Sequence, residues 1–293
     1  MSWRVVVVQE PCKLDLNLGY MVVRGKELRK VYLDEISVLL IENPGISMTG
    51  CLLNALLEKK IKVILCDNSH NPSAELSPIY GSYDCSKKLN LQLSWSKELC
   101  GDAWTLVVKE KIGQQARFLQ DCGKVNESAL LQEYLTNMAY GDETNREGHA
   151  AKVYFNGIFG MEFSRSDDNI VNAALNYGYA ILLSVFNREI VSSGYLTQLG
   201  IWHTSSVNQY NLASDLMEPF RILVDRHVYE CKFSKFGTQD KHRMLEFLNR
   251  NVYIADSRQT VLNAIRIYSR SVFSALNGQD LSLIRFYSLE EKQ

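Results

Sequence analysis

The sequence predicts an α+β protein with a β-rich N-terminal domain at residues 1–84 and a larger all-helical domain at residues 85–293. Three observations support this division. Up to about residue 80, short apolar runs are bounded by turn residues, which is typical of β-strands. From about Ser86 onward, apolar residues recur at every third and fourth position, as in amphipathic helices, and Pro219 is the only proline. The 293 residues suffice for one large domain or two ordinary ones.

The N-terminal domain begins with a strand predicted at the apolar residues 5–8. Leu14, Leu16 and Leu18 then alternate with polar residues, and Gly19 separates them from the apolar residues 20–23, as in a β-hairpin. Further strands are predicted at residues 31–33, 36–42 and 61–67. Thr49 is predicted to cap a helix over residues 49–60, and residues 68–78 are predicted to form a loop.

The second domain contains a series of segments with helical spacing of apolar residues. The sequence predicts helices at residues 102–122, 127–140, 150–159, 168–192, 213–233, 241–250 and 257–278. No repeat of fixed period and no low-complexity tract interrupts them. The helices are therefore expected to form one domain with its own core.

The composition excludes several classes of protein. With 46% hydrophobic and 22% charged residues, the chain has enough apolar side chains for a core and is not a disordered protein. The net charge is −1, so a nucleic-acid partner would have to bind a local basic patch. Seven cysteines without a CxxC pair, and no signal-peptide pattern, predict a reduced cytoplasmic protein. No apolar run approaches the roughly 20 residues of a membrane span, so no membrane partner is expected.

The segment GDETNREGHAAKVYFNGIFG, residues 141–160, predicts a helix with a carboxylate on its buried side. Glu147 lies three and four residues before Ala150 and Ala151, and it therefore extends the buried stripe of that helix. One interpretation is a capping box, in which Glu147 accepts a hydrogen bond from the Thr144 amide. The other interpretation is that Glu147 holds a ligand.

A second candidate is His203, in the segment GYLTQLGIWHTSS, residues 194–206. Two glycines bracket a loop, and loops held on a rigid scaffold are common places for functional residues. A lone histidine is more often structural, although a neutral imidazole is also a frequent metal ligand. The other four histidines share no spacing typical of a metal site.

The third candidate segment is ASDLMEPFRILVD, residues 213–225, in which Asp215 and Glu218 are three residues apart and share a helix face. Pro219 predicts that this is the first turn of a helix, because proline lacks the amide that an interior turn needs. Asp215 is then either the N-cap of that helix or part of a site.

Together these residues form a set of two carboxylates and one imidazole. Such a set suits Mg²⁺ or Mn²⁺, with open positions for water and phosphate, and differs from a closed zinc site with its thiolates. A site of this kind would polarise a phosphodiester and help to form an oxygen nucleophile. The spacing alone leaves open whether the three groups converge.

Four segments resemble the motif series of the CRISPR-associated spacer-acquisition integrases, the universal adaptation nucleases: NREGHAAKVYF, DDNIVNAALNYGYAIL, LGIWH and NLASDLMEPFRILVD. The N-terminal half resembles the form found in type II systems, through WRVVVVQEPCKLDL and LDEISVLLIENPGISMTGCLLNALLEKKIKVILCDNSHNP. The similarity runs from about residue 3 to residue 270 in the expected order.

The resemblance implies roles for individual residues. In that family, a glutamate in N-x-E-G-x-A-A, the histidine that ends L-G-x-x-H and an acid in D-L-x-E-P-F-R bind the catalytic ion. Carried over, these are Glu147, His203 and Glu218, and all three are present. Glu218 stands where some members have aspartate, which preserves the ligand chemistry. Asp215 is a second-tier candidate, because it is an auxiliary acid in some members.

The resemblance also implies a reaction and a set of partners. The family uses the 3′-hydroxyl of a short DNA fragment to attack a phosphodiester at the CRISPR leader–repeat edge. It works as homodimers bridged by a dimer of a second adaptation protein, and in type II systems an accessory ring protein and the effector nuclease take part. The resemblance also implies that residues 1–84 form the dimerisation domain. Four residues near the acids in sequence are candidate DNA contacts: Arg146, Lys152, Arg165 and Arg221.

Two other functions remain open at this point. One is a non-catalytic scaffold that binds DNA ends in the adaptation complex, against which the intact Glu147, His203 and Glu218 weigh. The other is an unrelated cytoplasmic α/β protein, which requires the ordered series of motifs to be chance. Metal-dependent cleavage of branched DNA by the purified chain separates an enzyme from a scaffold.

Overall fold

A computed structural model describes residues 4–79, 82–142 and 145–289. The chain divides into two compact units, Met1–Tyr83 and Asp84–Gln293. The first unit is rich in strands and the second is mostly helical, so the predicted α+β class is confirmed.

Two four-stranded sheets make up the described part of the first unit. One sheet has the order β1 (Arg4–Val8), β5 (Ile36–Ile41), β7 (Lys62–Cys66) and β8 (Pro72–Leu76), with β8 antiparallel to β7 and the other pairs parallel. The other has the order β4 (Leu28–Tyr32), β3 (Tyr20–Arg24), β2 (Lys13–Asn17) and β6 (Ser47–Met48). All six residues of β5 are buried, which places this strand in the core of the unit.

The hairpin and the helix of this unit form where the sequence predicts them. Leu18 and Gly19 connect β2 to β3 with positive φ angles of 50° and 79°, which suits the right-handed twist of a tight hairpin. The Thr49 hydroxyl accepts a hydrogen bond from the Leu52 amide at 3.3 Å and caps α1 (Gly50–Glu58). Leu52 and Leu56 of α1 pack into the core.

The predicted loop at residues 68–78 is wrong in part, because Pro72–Leu76 form β8. Pairing with β7 supplies the backbone hydrogen bonds of this strand, whereas its polar composition gives no strand pattern. Pro72 is tolerated because it is the first residue of the strand. The two-residue strand β6 was also missed, because two residues are too few to show alternation.

The second unit is built from nine helices among the residues that the structure describes. They are α2 (Cys85–Leu93), α3 (Lys97–Asp121), α4 (Val125–Thr136), α5 (Arg146–Phe159), α6 (Ile170–Ser192), α7 (Asn211–Met217), α8 (Arg221–Cys231), α9 (Thr238–Leu245) and α10 (Val261–Gly278). The sequence predicted most of them but missed α2, whose apolar face is short.

The second unit is not entirely helical, which corrects the sequence prediction. Asn251–Ile254 form β9 and Ser257–Thr260 form β10, and the two strands pair antiparallel across a turn in which Ala255 and Asp256 have positive φ. The predicted helix at residues 257–278 therefore begins at Val261, with Thr260 as its N-cap. Residues Ser257–Thr260 include no apolar side chain, so the short strand shows no alternation in the sequence.

Among the residues that the structure describes, one helix, α6, is long and apolar enough by length and composition to cross a membrane, with a mean hydropathy of 1.3 over 18 residues. The expectation that no segment approaches the length of a membrane span is therefore wrong for this helix. More than half of this window, 56%, is buried inside the protein, as in the core helix of a folded domain. Because it is mostly buried, α6 is a core helix of the second unit.

The predicted helix at residues 213–233 is split around Pro219. It consists of α7, a 3₁₀ turn at Glu218–Phe220 and α8. Pro219 has no amide to donate, so the chain tightens into a 3₁₀ turn and a new helix starts at Arg221. Asp215 lies inside α7, whose N-cap is Tyr210, so the interpretation of Asp215 as an N-cap is wrong.

Candidate active site

Glu147 lies in the first turn of α5, and an aspartate five residues earlier fixes that turn. Asp142 accepts hydrogen bonds from the amides of Arg146 at 2.7 Å and Glu147 at 2.9 Å. Asn145, the N-cap residue, is left-handed with a φ of 51° and makes no side-chain cap bond. Thr144, the other member of the predicted capping box, lies outside the described residues. Asp142 therefore satisfies the first amides of α5, and the Glu147 carboxylate points elsewhere.

Glu218 begins the 3₁₀ turn between α7 and α8 and is only 4% exposed. Its carboxylate accepts a hydrogen bond from Arg221 Nε at 2.9 Å and another from Lys111 Nζ at 2.5 Å. The Arg221 guanidinium in turn lies 4.7 Å from the centre of the Tyr179 ring. A buried carboxylate is thus held between two cations.

Lys111, near the middle of α3, brings the two glutamates together. Its ammonium donates to Glu147 Oε1 at 2.5 Å as well as to Glu218 Oε2. The two carboxylate oxygens therefore lie no more than about 5 Å apart. Two acids from separate segments converge on one cationic group, which is the arrangement that a pair of metal-binding carboxylates requires.

The electrostatics of this group follow from burial and from the ion pairs. Burial disfavours the charged form of Lys111, but Glu218 and Glu147 outweigh it, and the pKa of the ammonium is raised. Burial would raise the pKa of Glu218, but Lys111 and Arg221 outweigh it, and that pKa is lowered. Both shifts favour the charged forms of Lys111 and Glu218.

His203 lies in the loop before α7 and is held by Asp215. The fully buried Asp215 carboxylate accepts hydrogen bonds from the amides of Ile201 at 2.7 Å, Trp202 at 2.9 Å and His203 at 3.2 Å. It also pairs with His203 Nδ1. Gly200 is required here, because a Cβ would lie 2.7 Å from the Asp215 carboxylate and 2.4 Å from the His203 carbonyl oxygen.

The pairing with Asp215 determines which ring nitrogen of His203 can bind a ligand. The hydrogen bond to Asp215 raises the pKa of His203, although burial opposes this shift. With Nδ1 donating to the carboxylate, Nε2 is the nitrogen that remains for a ligand, as in metal-binding histidines oriented by an acid. A divalent ion would have to displace a proton from Nε2, so its binding is expected to weaken as the pH falls.

One tryptophan contacts the His203 ring, and a second stacks on the first. Trp104, which is buried on α3, contacts it edge to face at 5.2 Å between ring centres. Trp202 stacks on Trp104 at 6.0 Å and is 40% exposed. These contacts, together with Asp215, hold the imidazole in one orientation at the protein surface.

The structure brings the predicted site residues together as two pairs. Glu147 and Glu218 share the Lys111 ammonium, and His203 is bonded to Asp215. Within residues 4–79, 82–142 and 145–289, no three His, Cys, Asp or Glu side chains already form a group that could hold a metal ion. The donor chemistry fits a divalent ion, with two carboxylates aimed at one cation and an imidazole oriented by an acid. Convergence of Glu147, His203 and Glu218 on one ion stays a prediction.

The four candidate DNA contacts differ in their surroundings. Arg221 is bonded to Glu218, and Arg165 donates to Asn176 Oδ1 at 2.7 Å and also to Asn172. The remaining two are less constrained: the Arg146 guanidinium lies 5.3 Å from the Tyr134 ring centre, and Lys152 is exposed. Arg221 and Arg165 therefore have structural contacts, whereas Lys152 is presented to solvent.

Sequence reasoning missed two residues of this site, Lys111 and Asp142. Lys111 follows Val107 and Val108 by four and three residues, so it lies on the buried face of α3, where a lysine needs a partner. That position was a usable signal. Asp142 gave none, because its bonds depend on a turn with positive φ at Asp142 itself.

Comparisons with known proteins agree on one family. A family model described as CRISPR associated protein Cas1 matches residues 5–264. The chain is 36% identical over 302 residues to the CRISPR-associated endonuclease Cas1 of Neisseria meningitidis serogroup C (strain 8013), covering 100% of this chain and 99% of that protein.

Solved structures share the fold at lower identity. A casposase bound to integration product is 16% identical, with a TM-score of 0.75 over 96% of this chain and 93% of its own. A chain of a Cas6-RT-Cas1--Cas2 complex is 18% identical, with a TM-score of 0.74; the match covers 99% of this chain and 36% of that longer chain.

Proposed function

The chain belongs to the Cas1 family of CRISPR-associated proteins, and we propose that it is a metal-dependent DNA integrase and endonuclease that inserts short DNA fragments as new spacers into a CRISPR array. One observation carries the proposal. Glu147 and Glu218, from separate segments, converge on a single cationic group in the unit that also holds His203 against Asp215.

The residues present fit a divalent ion of the Mg²⁺ or Mn²⁺ type. Glu147 and Glu218 would supply carboxylate oxygens, and His203 would supply Nε2. When bound, such an ion supplies Lewis-acid stabilisation of a phosphodiester and lowers the pKa of a bound hydroxyl. Asp215 keeps a proton on Nδ1, so that Nε2 presents its lone pair. Arg221 holds the Glu218 carboxylate in place through Nε.

The proposed reaction is a transesterification. The 3′-hydroxyl of the incoming fragment loses its proton and attacks the phosphorus of a phosphodiester, and the 3′-oxygen of the cut strand leaves and takes up a proton. One P–O bond forms and one breaks, so no external energy source is required. The DNA would be held by basic side chains around the site, with the exposed Lys152 and the partly buried Arg146 as first candidates.

The proposed partners follow from the family and from the N-terminal unit. In that unit, β1 and β4 each pair along one side only within the described residues, so each is a sheet edge open to a second chain. We expect a homodimer through residues 1–84, a dimer of the second adaptation protein, and CRISPR DNA in the cytoplasm. The type II accessory ring protein and the effector nuclease are further candidates. Light scattering of the full chain tests the dimer, and a monomer at micromolar concentration would contradict it.

A second candidate function is a scaffold that binds DNA ends without chemistry. The contacts of Lys111 favour this function, because its ammonium already lies between the carboxylates of Glu147 and Glu218. Branched DNA incubated with the purified chain separates the two functions. An integrase joins or cleaves strands with Mn²⁺ and loses this activity in EDTA and in Glu147→Gln. A scaffold binds the DNA and leaves every strand intact under all of these conditions.

A further inference from the structure

The Lys111 ammonium occupies the position between two carboxylates that the proposed function assigns to a divalent ion. Its Nζ atom lies 2.5 Å from Glu147 Oε1 and 2.5 Å from Glu218 Oε2, and the side chain is only 12% exposed. Lys111 belongs to α3, whereas the glutamates belong to α5 and to the 3₁₀ turn before α8. One lysine thus joins the three segments that build this half of the site.

Charge counting shows that this half of the site is already neutral. Glu147 and Glu218 contribute two negative charges, and Lys111 and Arg221 contribute two positive charges in direct contact with them. A divalent ion would sit about 2.1 Å from the same oxygens. It would then lie within a few ångströms of the Lys111 ammonium, and like charges at that distance repel strongly in a buried site. The ion and the ammonium therefore compete for the two carboxylates.

Of the two cations, Lys111 is the one that can leave. Arg221 is fixed by its bond to Glu218 and by the Tyr179 ring, 4.7 Å from its guanidinium carbon. Its planar guanidinium is pre-organised for both contacts. Lys111 carries a compact ammonium on a flexible four-carbon chain, so it can rotate away while α3 stays in place.

We propose that Lys111 is the resident counter-cation of this site, which holds Glu147 and Glu218 together and gives way to a divalent ion. The proposal rests on the proposed function, in which this pair binds the metal. Without the lysine, two carboxylates about 5 Å apart would repel each other, and their segments would separate. Lys111 is a positioning residue, and its competition sets how much Mn²⁺ or Mg²⁺ the protein needs.

The test is a titration of the full chain with Mn²⁺, in which isothermal titration calorimetry measures the dissociation constant. Lys111→Met removes the competing charge while it keeps the length of the side chain. The dissociation constant for Mn²⁺ should fall by at least about tenfold. This factor corresponds to the weakest coupling energies measured for a single pair of close charges. Lys111→Arg should raise it, because a bidentate guanidinium holds carboxylates more firmly. Lys109→Met, at an exposed lysine of the same helix, is the matched control and should leave it unchanged.

Thermal melting provides a readout that does not depend on DNA chemistry. In EDTA, Lys111→Met should melt at a lower temperature than the wild type, because the two glutamates lose their shared partner. Mn²⁺ should raise its melting temperature by more than it raises that of the wild type. If Lys111→Met does not fold, Lys111→Gln removes the charge but keeps a hydrogen-bond donor, and it takes the place of the methionine variant in both measurements.

The outcomes separate this inference from the proposed function. If Glu147→Gln does not weaken Mn²⁺ binding to the wild-type chain, the metal site is wrong and the displacement falls with it. If Glu147→Gln does weaken binding but Lys111→Met binds Mn²⁺ no more tightly than wild type, the metal site stands and the competition by Lys111 is overturned.

Discussion

Two buried carboxylates, Glu218 and Asp225, lie seven residues apart in the chain, and their pKa values are shifted in opposite directions. Glu218 contacts Lys111 and Arg221, and its pKa is lowered in spite of burial. Asp225, on α8, pairs with the Tyr179 hydroxyl, and burial raises its pKa to about 6. Both residues are at most 4% exposed, so the difference comes from their partners.

The comparison shows that cationic partners favour the charged form of the Glu218 carboxylate, whereas burial disfavours the charged form of the Asp225 carboxylate. Arg221 links the two environments, because it donates to Glu218 and stacks on Tyr179, which bonds Asp225. Arg221 thus lies between the ion pairs of Glu218 and the hydrogen bond that joins Tyr179 to Asp225. Substitution of one carboxylate or one cation at a time tests this contrast.

The largest effect is expected at Glu218, where the charge is needed. Glu218→Gln keeps the size of the side chain but removes the charge that a divalent ion requires. Strand transfer with a DNA fragment that carries a free 3′-hydroxyl should fall by at least about 100-fold. Glu162→Gln, at an exposed glutamate of the same unit, is the matched control and should retain activity. Equal activity of the two variants would place the chemistry elsewhere.

The next effect is expected at Asp215, a third buried carboxylate, which is satisfied by amide donors instead of cations. Asparagine has one acceptor oxygen, whereas Asp215 uses one oxygen for His203 and the other for the Ile201 and Trp202 amides, so Asp215→Asn cannot hold both the loop and the imidazole. Strand transfer should fall by about 10- to 100-fold, which is the usual loss when a residue that hydrogen-bonds to a metal-binding histidine is substituted. Thermal melting should show that the free energy of unfolding falls by about 1–3 kcal/mol.

Asp168→Asn, at an exposed aspartate, is the control for that substitution. If Asp215→Asn melts earlier but integrates DNA at the wild-type rate, Asp215 only holds the loop, and the proposed support of His203 is wrong.

A smaller effect, with the opposite sign, is expected at Asp225. A pKa raised to about 6 from an ordinary 3.8 means that the folded protein binds this proton more tightly than the unfolded chain. Its contribution to stability is fully present below about pH 4 and is lost as the pH rises through about 6. Asp225→Asn does not titrate, so it should be more stable than wild type at pH 7, by at most about 3 kcal/mol.

Denaturant unfolding of both proteins at pH 4 and pH 7 measures this difference. The advantage of Asp225→Asn should shrink towards pH 4, where the wild-type aspartate is protonated. A variant that is less stable at pH 7 than at pH 4, relative to wild type, would show that the buried carboxylate is stabilised as an anion.

The smallest effect is expected for an exposed cation. Lys152→Ala should weaken DNA binding only a few-fold and reduce the slope of affinity against salt by about 1, because it removes one phosphate contact. Lys235→Ala, at an exposed lysine after α8, is the matched control. Fluorescence anisotropy with labelled duplex DNA measures both, and an unchanged salt slope for Lys152→Ala would remove this lysine from the DNA surface.

The sequence predicted the fold correctly in segments where the apolar residues recur with a single strand or helix period. The strands around the Leu18–Gly19 turn and the helix capped by Thr49 are local patterns, and they form as predicted. Strand β8 and the β9–β10 hairpin were missed, because their hydrogen bonds come from pairing partners and their composition resembles loops or the adjoining helix.

The candidate site was predictable only as a set of residues, not as an arrangement. Motif similarity pointed to Glu147, His203 and Glu218, but no spacing shows that Lys111 lies between the glutamates or that Asp215 is the partner of His203. Those contacts join segments far apart in the chain, so they depend on tertiary packing. The lysine on the buried face of α3 was the one local sign of an internal ion pair.

The most direct test of the proposed metal site is a crystal of the full chain soaked in MnCl₂, with anomalous diffraction measured at the manganese edge. We expect one strong peak about 2.1 Å from carboxylate oxygens of Glu147 and Glu218, close to His203 Nε2, with the Lys111 ammonium moved away. A map in which Lys111 still bridges the two glutamates and manganese binds elsewhere, or nowhere, would contradict it.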